Sequence, residues 1–380
     1  MNHTSRIIST YSADVFGVCS ALFELGGMVI MHDASGCNST YTTHDEPRWY
    51  DMESMIYISG LSEMEAIMGD DEKLIGDICA AAEALSPRFI AVAGTPIPTM
   101  TGFDFEAVAE LIEQRTGIPA FGFPTTGMNT YIHGASMALE AIARRFTDKS
   151  AVKTSDLSAN ILGLTPLDFS VNGSDKAIVP FLEDAGYRVL SRWAMGSTLE
   201  ELAQAGSAHV NLVVSASGLG AAKALQELFG TPYVIGIPIG SDYTSQVQNA
   251  LAAAVAAGEN QLPLSSLSGG DILVIGEAVT SLSLASALEY TTGKGTVVLC
   301  PTECDPSLLR SKDLLLQSED EIQQAMAQAK LVIADPLFQP ICPPGVHFLR
   351  LPTEAFSGRL YRKEIPNLVS HFQTFFKEVL

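Results

Sequence analysis

Apolar residues recur along this chain in two alternating patterns. Short apolar runs, typical of buried strands, alternate with longer stretches whose apolar positions repeat every three or four residues, as in helices. Strands are predicted at residues 28–31, 54–58, 88–93, 119–123, 160–164, 187–191, 209–214, 233–237, 271–276, 296–299 and 331–334. Helices are predicted at residues 12–27, 71–85, 105–116, 131–146, 175–185, 221–229, 243–257, 279–290 and 366–380. Such alternation favours right-handed βαβ units around parallel sheets.

The alternation restarts after the polar residues 147–158 and again at Gly270. A chain of 380 residues is also too long for one ordinary core. We therefore predict an α/β protein of three doubly wound Rossmann-like units, with parallel sheets around a central cleft. The predicted units are residues 1–150, 151–268 and 269–380.

The stretch 28–49 contains the most concentrated candidate chemistry. Its apolar strand ends in a turn at Gly36 and is followed at once by a single thiol, Cys37. Parallel sheets bind ligands at the carboxyl ends of their strands, so we expect this thiol to be functional. The structural alternative is a buried, inert cysteine.

Three charged or ionisable residues follow that thiol within one short polar segment. His44 and Asp45 are candidate proton donors, and Arg48 could hold a substrate carboxylate through two hydrogen bonds. The structural alternative for Asp45 and Arg48 is a local salt bridge.

Composition narrows the range of partners. The 47% apolar and 17% charged content indicates a compact protein, and 43 acidic against 22 basic residues argues against a nucleic-acid partner. The N-terminus lacks the apolar core of a signal peptide, and no apolar run reaches membrane-spanning length. We expect a cytoplasmic protein with no membrane contact.

The six cysteines are spaced too irregularly for a disulfide framework. Cys19 lies in the first predicted helix, where it is either core or a second ligand beside Cys37, and Cys79 is interpreted as core. Cys300, Cys304 and Cys342 follow strands of the third unit. Their C-x₃-C pair is not a usual zinc spacing, so a second metal site is not favoured.

The turn 215–220 between a predicted strand and helix is a second candidate ligand site. Ser215, Ser217 and Gly218 offer small side chains and free amides to an anion or a cofactor edge. The spacing is not a dinucleotide-binding fingerprint, and close strand–helix packing explains such turns equally well. We expect this turn and Arg48 to line one cleft.

Motifs in all three units resemble the component 1 subunits of nitrogenase and their relatives. They are HDASGC, LSEMEAIMGDDEKLIGDI and AVAGTPIPTMTGFDF in the first unit, VNGSDKAIVPFLEDAGYRVLSRWAMGSTLEELAQA and HVNLVVSASG in the second, and DILVIGEAVTSLSLASALE and KLVIADPLFQPI in the third. Together they cover nearly the whole chain. The resemblance implies an oxidoreductase that receives electrons from a separate ATP-dependent iron–sulfur reductase of the nitrogenase component 2 type.

The chain also departs from the family pattern at positions that bind clusters and cofactors. Cluster-binding members usually offer three cysteines, and here only Cys37 aligns cleanly; the first position falls near residues 11–12 and the third at Thr95 or Pro96. The cysteine that binds the large cofactor is replaced by Ser215, and residues 355–362 contain no histidine. We expect no molybdenum–iron cofactor and a small organic substrate, for which a tetrapyrrole-like molecule is one candidate.

A [4Fe–4S] cluster commonly needs four thiolates, more than this chain offers at one place. Two subunits, as a homodimer or with a paralogous subunit, would double the contribution of Cys37 and Cys19. No P-loop motif occurs, so ATP hydrolysis would belong to the partner. A metallocofactor assembly scaffold and a cluster-free small-molecule binding protein are the alternative functions.

Overall fold

A computed structural model describes residues 6–7, 13–36, 38, 41, 45–377 and 379. Within these residues the β-strands form three separate sheets, and every strand pair is parallel. Helices connect the strands throughout. The predicted α/β class with three parallel sheets is therefore confirmed.

The first sheet has the strand order β2-β1-β3-β4. Its strands are β1 (Met28–Met31), β2 (Met55–Ile58), β3 (Ile90–Ala93) and β4 (Ala120–Phe123). The accompanying helices are α1 (Asp14–Leu22), α2 (Glu63–Met68), α3 (Asp71–Leu85), α4 (Pro96–Thr101), α5 (Phe105–Thr116) and α6 (Tyr131–Phe146). Because β1 lies between β2 and β3, the segments that follow these three strands lie side by side at one edge.

The second sheet has the order β6-β5-β7-β8. Its strands are β5 (Ser158–Leu162), β6 (Arg188–Arg192), β7 (Val210–Val213) and β8 (Tyr233–Ile235). The helices are α7 (Pro166–Phe169), α8 (Ser174–Asp184), α9 (Leu199–Ala203), α10 (Leu219–Phe229) and α11 (Ser241–Ala257).

The third sheet has the order β11-β10-β9-β12-β13. Its strands are β9 (Ile272–Ile275), β10 (Thr296–Cys300), β11 (Leu314–Leu315), β12 (Leu331–Ala334) and β13 (His347–Arg350). The helices are α12 (Ala278–Thr292), α13 (Glu319–Met326), α14 (Glu354–Ser357) and α15 (Leu368–Phe375). Short 3₁₀ helices occupy Pro47–Tyr50, Gln204–Ser207, Ala216–Gly218, Pro306–Leu308, Pro336–Ile341, Gly358–Leu360 and Arg362–Glu364.

The terminal helices differ most from the sequence-based expectation. The first begins at Asp14 and ends at Leu22, so it is shorter than the predicted 12–27, and residue 12 lies outside the described residues. The last is Leu368–Phe375 and is interrupted at His371. The predicted unit boundaries fall between the three sheets and remain predictions.

Helices α1 and α6 approach each other closely, and two glycines make this possible. A Cβ atom on Gly17 would lie 1.9 Å from the carbonyl oxygen of Tyr131, and one on Gly134 would lie 1.9 Å from that of Asp14. Any side chain at either position would force the helices apart. Helix α1 is therefore fixed against α6 along its length.

One large apolar core runs through all three units, and a smaller cluster lies between the first sheet and helices α3 and α5. Of the helices in the described part of the chain, none has the length and apolar character needed to span a bilayer.

Candidate functional site

The carboxyl edge of the first sheet brings together polar side chains from three adjacent strands. His32 and Asp33 follow β1, Ser59 follows β2 and Thr95 follows β3. The Thr95 hydroxyl lies 2.9 Å from the His32 carbonyl oxygen and 3.1 Å from Asp33 Oδ1, and Asn38 Nδ2 donates to Asp33 Oδ2 at 2.8 Å. Thr95 therefore supports Asp33.

His32 is the most unusual group at this edge. Its Nδ1 lies 2.8 Å from Ser59 Oγ, and its ring packs 4.4 Å, centroid to centroid, from Phe103. The residue is only 5% exposed, and Nε2 has no hydrogen-bond partner among the described residues. Burial lowers the pKa of His32 to about 4, so the imidazole is neutral at physiological pH.

Cys37 and His44 lie outside the described residues. Gly36, the described residue next to Cys37, is exposed at the carboxyl end of β1. The roles of the Cys37 thiol and the His44 imidazole remain predictions.

Arg48 does not offer its guanidinium to a substrate. The side chain is 4% exposed, and its Nε and Nη2 donate to Glu46 at 2.7 and 3.1 Å. Its remaining N–H groups donate to Glu24 Oε1 at 3.0 Å and to the carbonyl oxygens of Ala194 at 2.9 Å and Ser20 at 2.8 Å. All five donors of a guanidinium are thereby used. The predicted substrate-binding role is wrong, and Arg48 instead joins the first unit to the second.

The expected Asp45–Arg48 salt bridge is also wrong, because Arg48 pairs with Glu46 and Glu24. Asp45 is buried, and its Oδ1 lies 3.4 Å from Nη1 of Arg359 in the third unit. Its carbonyl oxygen accepts a hydrogen bond from Arg362 at 2.9 Å. The carboxylate is therefore held at a contact between units.

Cys19 is a core residue. It lies on α1, whose packing against α6 leaves the side chain with 0% exposure. Burial raises the pKa of the thiol, and the nearby Glu46 raises it further. A neutral, enclosed thiol cannot share a cluster with a second subunit, so the predicted pairing of Cys19 with Cys37 is not supported.

The 215–220 turn is closed by groups of the chain itself. Ser215 Oγ donates to the carbonyl oxygen of Gly163 at 2.8 Å, and a Cβ on Gly218 would lie 2.5 Å from the Leu162 backbone. The amide of Ala216 donates to Glu277 Oε1 at 2.9 Å. The anion expected beside these amides is thus an internal carboxylate.

Ser217 and Gly218 are buried in the same turn, and the Ser217 hydroxyl has no partner within the described residues. The amide of Gly220 donates to Ser136 Oγ at 3.1 Å, which joins the turn to the first unit. The turn packs between units, and the pocket of about 300 Å³ that Ala216, Leu219 and Gly220 line does not include Arg48.

Two carboxyl groups at the junction of the three units, Asp168 and Glu277, were not predicted from the sequence. Glu277 accepts hydrogen bonds from the amides of Val279 at 2.9 Å and Thr280 at 2.8 Å at the start of α12. Asp168 accepts from the hydroxyl of Thr165 at 2.7 Å and from that of Tyr131. Burial, followed by the charge of Glu277, raises the pKa of Asp168 to about 7.

Burial also raises the pKa of Glu277. The pair can therefore hold a proton near neutral pH. The T-x-x-D sequence at 165–168 and the acidic residue before α12 are helix-start signals, but neither reveals that the charge of Glu277 acts on Asp168.

No three His, Cys, Asp or Glu side chains come close enough to hold a metal ion within the described part of the chain. Cys79, Cys300, Cys304 and Cys342 are free thiols. A hydrogen bond between Cys300 and Cys304 raises the pKa of Cys300, with burial adding to it, and lowers that of Cys304.

Two short helices at the edge of the first sheet expose large apolar side chains. Helix α2 buries none of its residues, and its neighbour α4 exposes Met100 to 86%. We call this surface the α2–α4 face; it consists of Met64, Ile67, Met68, Ile97 and Met100. Clustered exposed apolar groups of this kind usually mark an interaction site.

The sequence of this chain is similar to those of known proteins. Residues 14–329 match the family described as Nitrogenase component 1 type Oxidoreductase. A nitrogenase iron-molybdenum cofactor biosynthesis protein NifE from Rippkaea orientalis is 24% identical over 217 residues, which are 54% of this chain and 44% of that protein. A light-independent protochlorophyllide reductase component from Prosthecochloris aestuarii is 27% identical over 202 residues, covering 51% of this chain and 37% of that protein.

The matched region thus spans less than half the length of either relative. A solved structure described as "Nitrogenase Cp1 at pH 5" superposes with a TM-score of 0.68 at 15% identity. The superposition covers 100% of this chain and 91% of that one. At this identity the likeness shows a shared fold.

Proposed function

Because the chain belongs to the nitrogenase component 1 type oxidoreductase family, we propose that it is the substrate-reducing component of a nitrogenase-like system. In this role it receives electrons from an ATP-dependent iron–sulfur reductase and reduces a small organic substrate in the cytoplasm. An iron–sulfur cluster between two subunits would supply the electrons when bound.

The exposed α2–α4 face carries the proposal. Helices α2 and α4 follow β2 and β3, and the exposed turn at Gly36 follows the strand between them. A partner that covers this face would therefore lie next to the segment that contains Cys37. Such proximity is what electron delivery to that thiol requires.

Charge around the face favours a different protein over a second copy of this chain. Glu63, Asp70 and Asp104 are exposed beside it, and the ammonium of Lys73 is paired with Glu65 at 2.6 Å. Two such acidic surfaces repel each other, whereas a reductase with an apolar centre and a basic rim is complementary. We assign this face to the reductase.

The described residues alone do not provide the thiolate ligands of an iron–sulfur cluster. The third family position falls at Thr95 or Pro96, neither of which offers a thiol, and Cys19 is enclosed. Cys37 is the ligand that the proposal retains. A homodimer then provides two thiolates of the four usually needed, so this count favours a paralogous subunit that supplies the others.

Iron and sulfide content of protein purified without oxygen from its native host tests this assignment. Cys37→Ser should lose the iron and the brown colour, whereas Cys19→Ala should keep both because its thiol is internal. Cys79→Ser is the matched control and should match the unaltered protein. Full iron retention by Cys37→Ser would refute the site.

A metallocofactor assembly scaffold is the second candidate, favoured by the similarity to proteins named as NifE cofactor biosynthesis proteins. The two functions differ in stoichiometry. A reductase turns over many substrate molecules per chain, whereas a scaffold releases one bound cofactor. A colourless, iron-free protein would instead support the cluster-free binding function.

A further inference from the structure

A pocket of about 220 Å³ lies at the carboxyl edge of the first sheet, between α2, the beginning of α3 and the end of α4. We call it the His32 pocket. His32 and Ser59 form its floor at the ends of β1 and β2, and Phe103 lines one side. Its location fits the rule that parallel sheets bind ligands at this edge.

The lining carries an excess of negative charge. Glu65, Asp70, Asp71 and Asp77 contribute four carboxylates, against one ammonium from Lys73. Lys73 Nζ lies 2.6 Å from Glu65 Oε1, and this hydrogen bond is the main reason that the pKa of Glu65 is lowered to about 2. The lysine is thereby committed to one carboxylate, with Asp77 4.0 Å away.

The remaining acids lie close enough to disturb one another. Burial raises the pKa of Asp71, and the neighbouring charge of Asp70 raises it further. A positive charge placed in the pocket would relieve that repulsion, whereas an anion would add to it.

His32 provides independent evidence for a ligand. Its imidazole is buried and neutral, its Nδ1 is bonded to Ser59, and its Nε2 lacks a partner among the described residues. His32 lines the pocket, and its Nε2 is not among the buried atoms that lack a partner, so this nitrogen is open to a hydrogen bond from a ligand. The adjacent Phe103 ring packs against His32 and Phe105 and adds an apolar wall to the pocket.

We propose that the His32 pocket binds a small organic cation, an ammonium or amidinium group attached to a flat apolar ring. The carboxylates hold the charge, Phe103 contacts the ring, and His32 Nε2 pairs with a polar atom. A metal ion is a poorer fit, because the described residues bring no three suitable ligands together. Binding there requires neither a cluster nor a reductase, so it is tested separately from the proposed function.

Isothermal titration calorimetry at low salt with three matched probes tests the ligand class. Benzamidine is the cation, benzamide the neutral analogue and benzoate the anion. Benzamidine should bind more tightly than both analogues, and added salt should weaken it. Equal binding of the three probes, tighter binding of benzoate, or no binding of benzamidine would overturn the proposal.

Two sets of variants locate the binding. Asp70→Asn combined with Asp71→Asn should weaken benzamidine binding at least about fivefold, since it removes partly exposed charges near the ligand. Asp156→Asn removes the same type of charge from an exposed site in the second unit and should have no effect. Unchanged affinity of the double variant would mean that the cation binds elsewhere.

The contribution of His32 to binding can be separated from that of the carboxylates with two variants that differ in side-chain length. His32→Asn keeps a polar atom near Ser59 but loses the position of Nε2, whereas His32→Gln keeps a polar atom near that position. The proposal expects weaker benzamidine binding in the first variant than in the second, with circular dichroism confirming that both are folded. The reverse order would contradict it, and if either fails to fold, the Asp70–Asp71 variant decides.

Discussion

Polar groups lie near strand ends both at the junction of the three units and at the carboxyl edge of the first sheet. The two regions differ in how fully these groups are paired within the chain. At the junction, the Glu277 carboxylate accepts three backbone amides, one of them from another unit. At the sheet edge, His32 Nε2 has no partner among the described residues, and helix α2 buries none of its residues. The same strand topology thus produces one closed region and one accessible region.

The difference teaches that strand topology locates a possible site but does not decide whether it is available. Availability depends on what the neighbouring units place against the edge. Arg48 shows this most clearly, because it follows the polar loop of the first sheet but donates to Ala194 of the second unit. We therefore expect substitutions in the closed region to reduce stability and those at the accessible edge to change binding.

Arg48→Met should have the largest effect. It leaves the buried Glu46 without its cation, and breaking a buried pair in this way typically costs about 3–5 kcal/mol. The free energy of unfolding in urea measures the loss. Arg115→Met, which removes the exposed pair with Glu72, is the control and should change the free energy of unfolding far less. Similar losses in both variants would show that Arg48 is not buried as described.

Asp168→Asn should alter the pH dependence of stability. The pKa of Asp168 is raised to about 7 in the folded state, above the unfolded value of about 4. Its contribution to stability is therefore complete below about pH 4 and is lost as the pH rises through 7. The unaltered protein should therefore lose roughly 1–3 kcal/mol more than Asp168→Asn between pH 5 and pH 8. Urea unfolding at the two pH values measures this. Parallel pH profiles would exclude a raised pKa at this site.

Met68→Lys combined with Met100→Lys should have the smallest effect on stability, within about 0.5 kcal/mol, because both side chains are exposed. The same variant should lose binding to the reductase, since the new charges oppose a basic rim. Val152→Lys, at another exposed apolar position, should keep it. A loss of stability without a loss of binding would mean that the α2–α4 face is packed within the chain.

The regular part of the fold could be predicted from the sequence because its periodic signals are long. Helices 71–85, 105–116 and 131–146 have the predicted bounds. Helices α2 and α4 were not predicted, because six residues are too few to show a helical repeat.

The candidate site was harder to predict, because its contacts join distant parts of the chain. The polar loop before Arg48 was identified, but the contact of Asp45 with Arg359 spans more than three hundred residues and leaves no local signal. The position of His32 directly after an apolar strand could have revealed it by the rule that singled out Cys37. The effect of the Glu277 charge on Asp168 could not be inferred from one sequence.

The contacts of Asp45 also set an order of events during synthesis. The chain emerges from its N-terminus, and domains generally form as soon as their residues are available. The carbonyl oxygen of Asp45 receives its hydrogen bond from Arg362, near the other end of the chain. The unit at residues 1–150 therefore acquires this contact only after synthesis has reached Arg362.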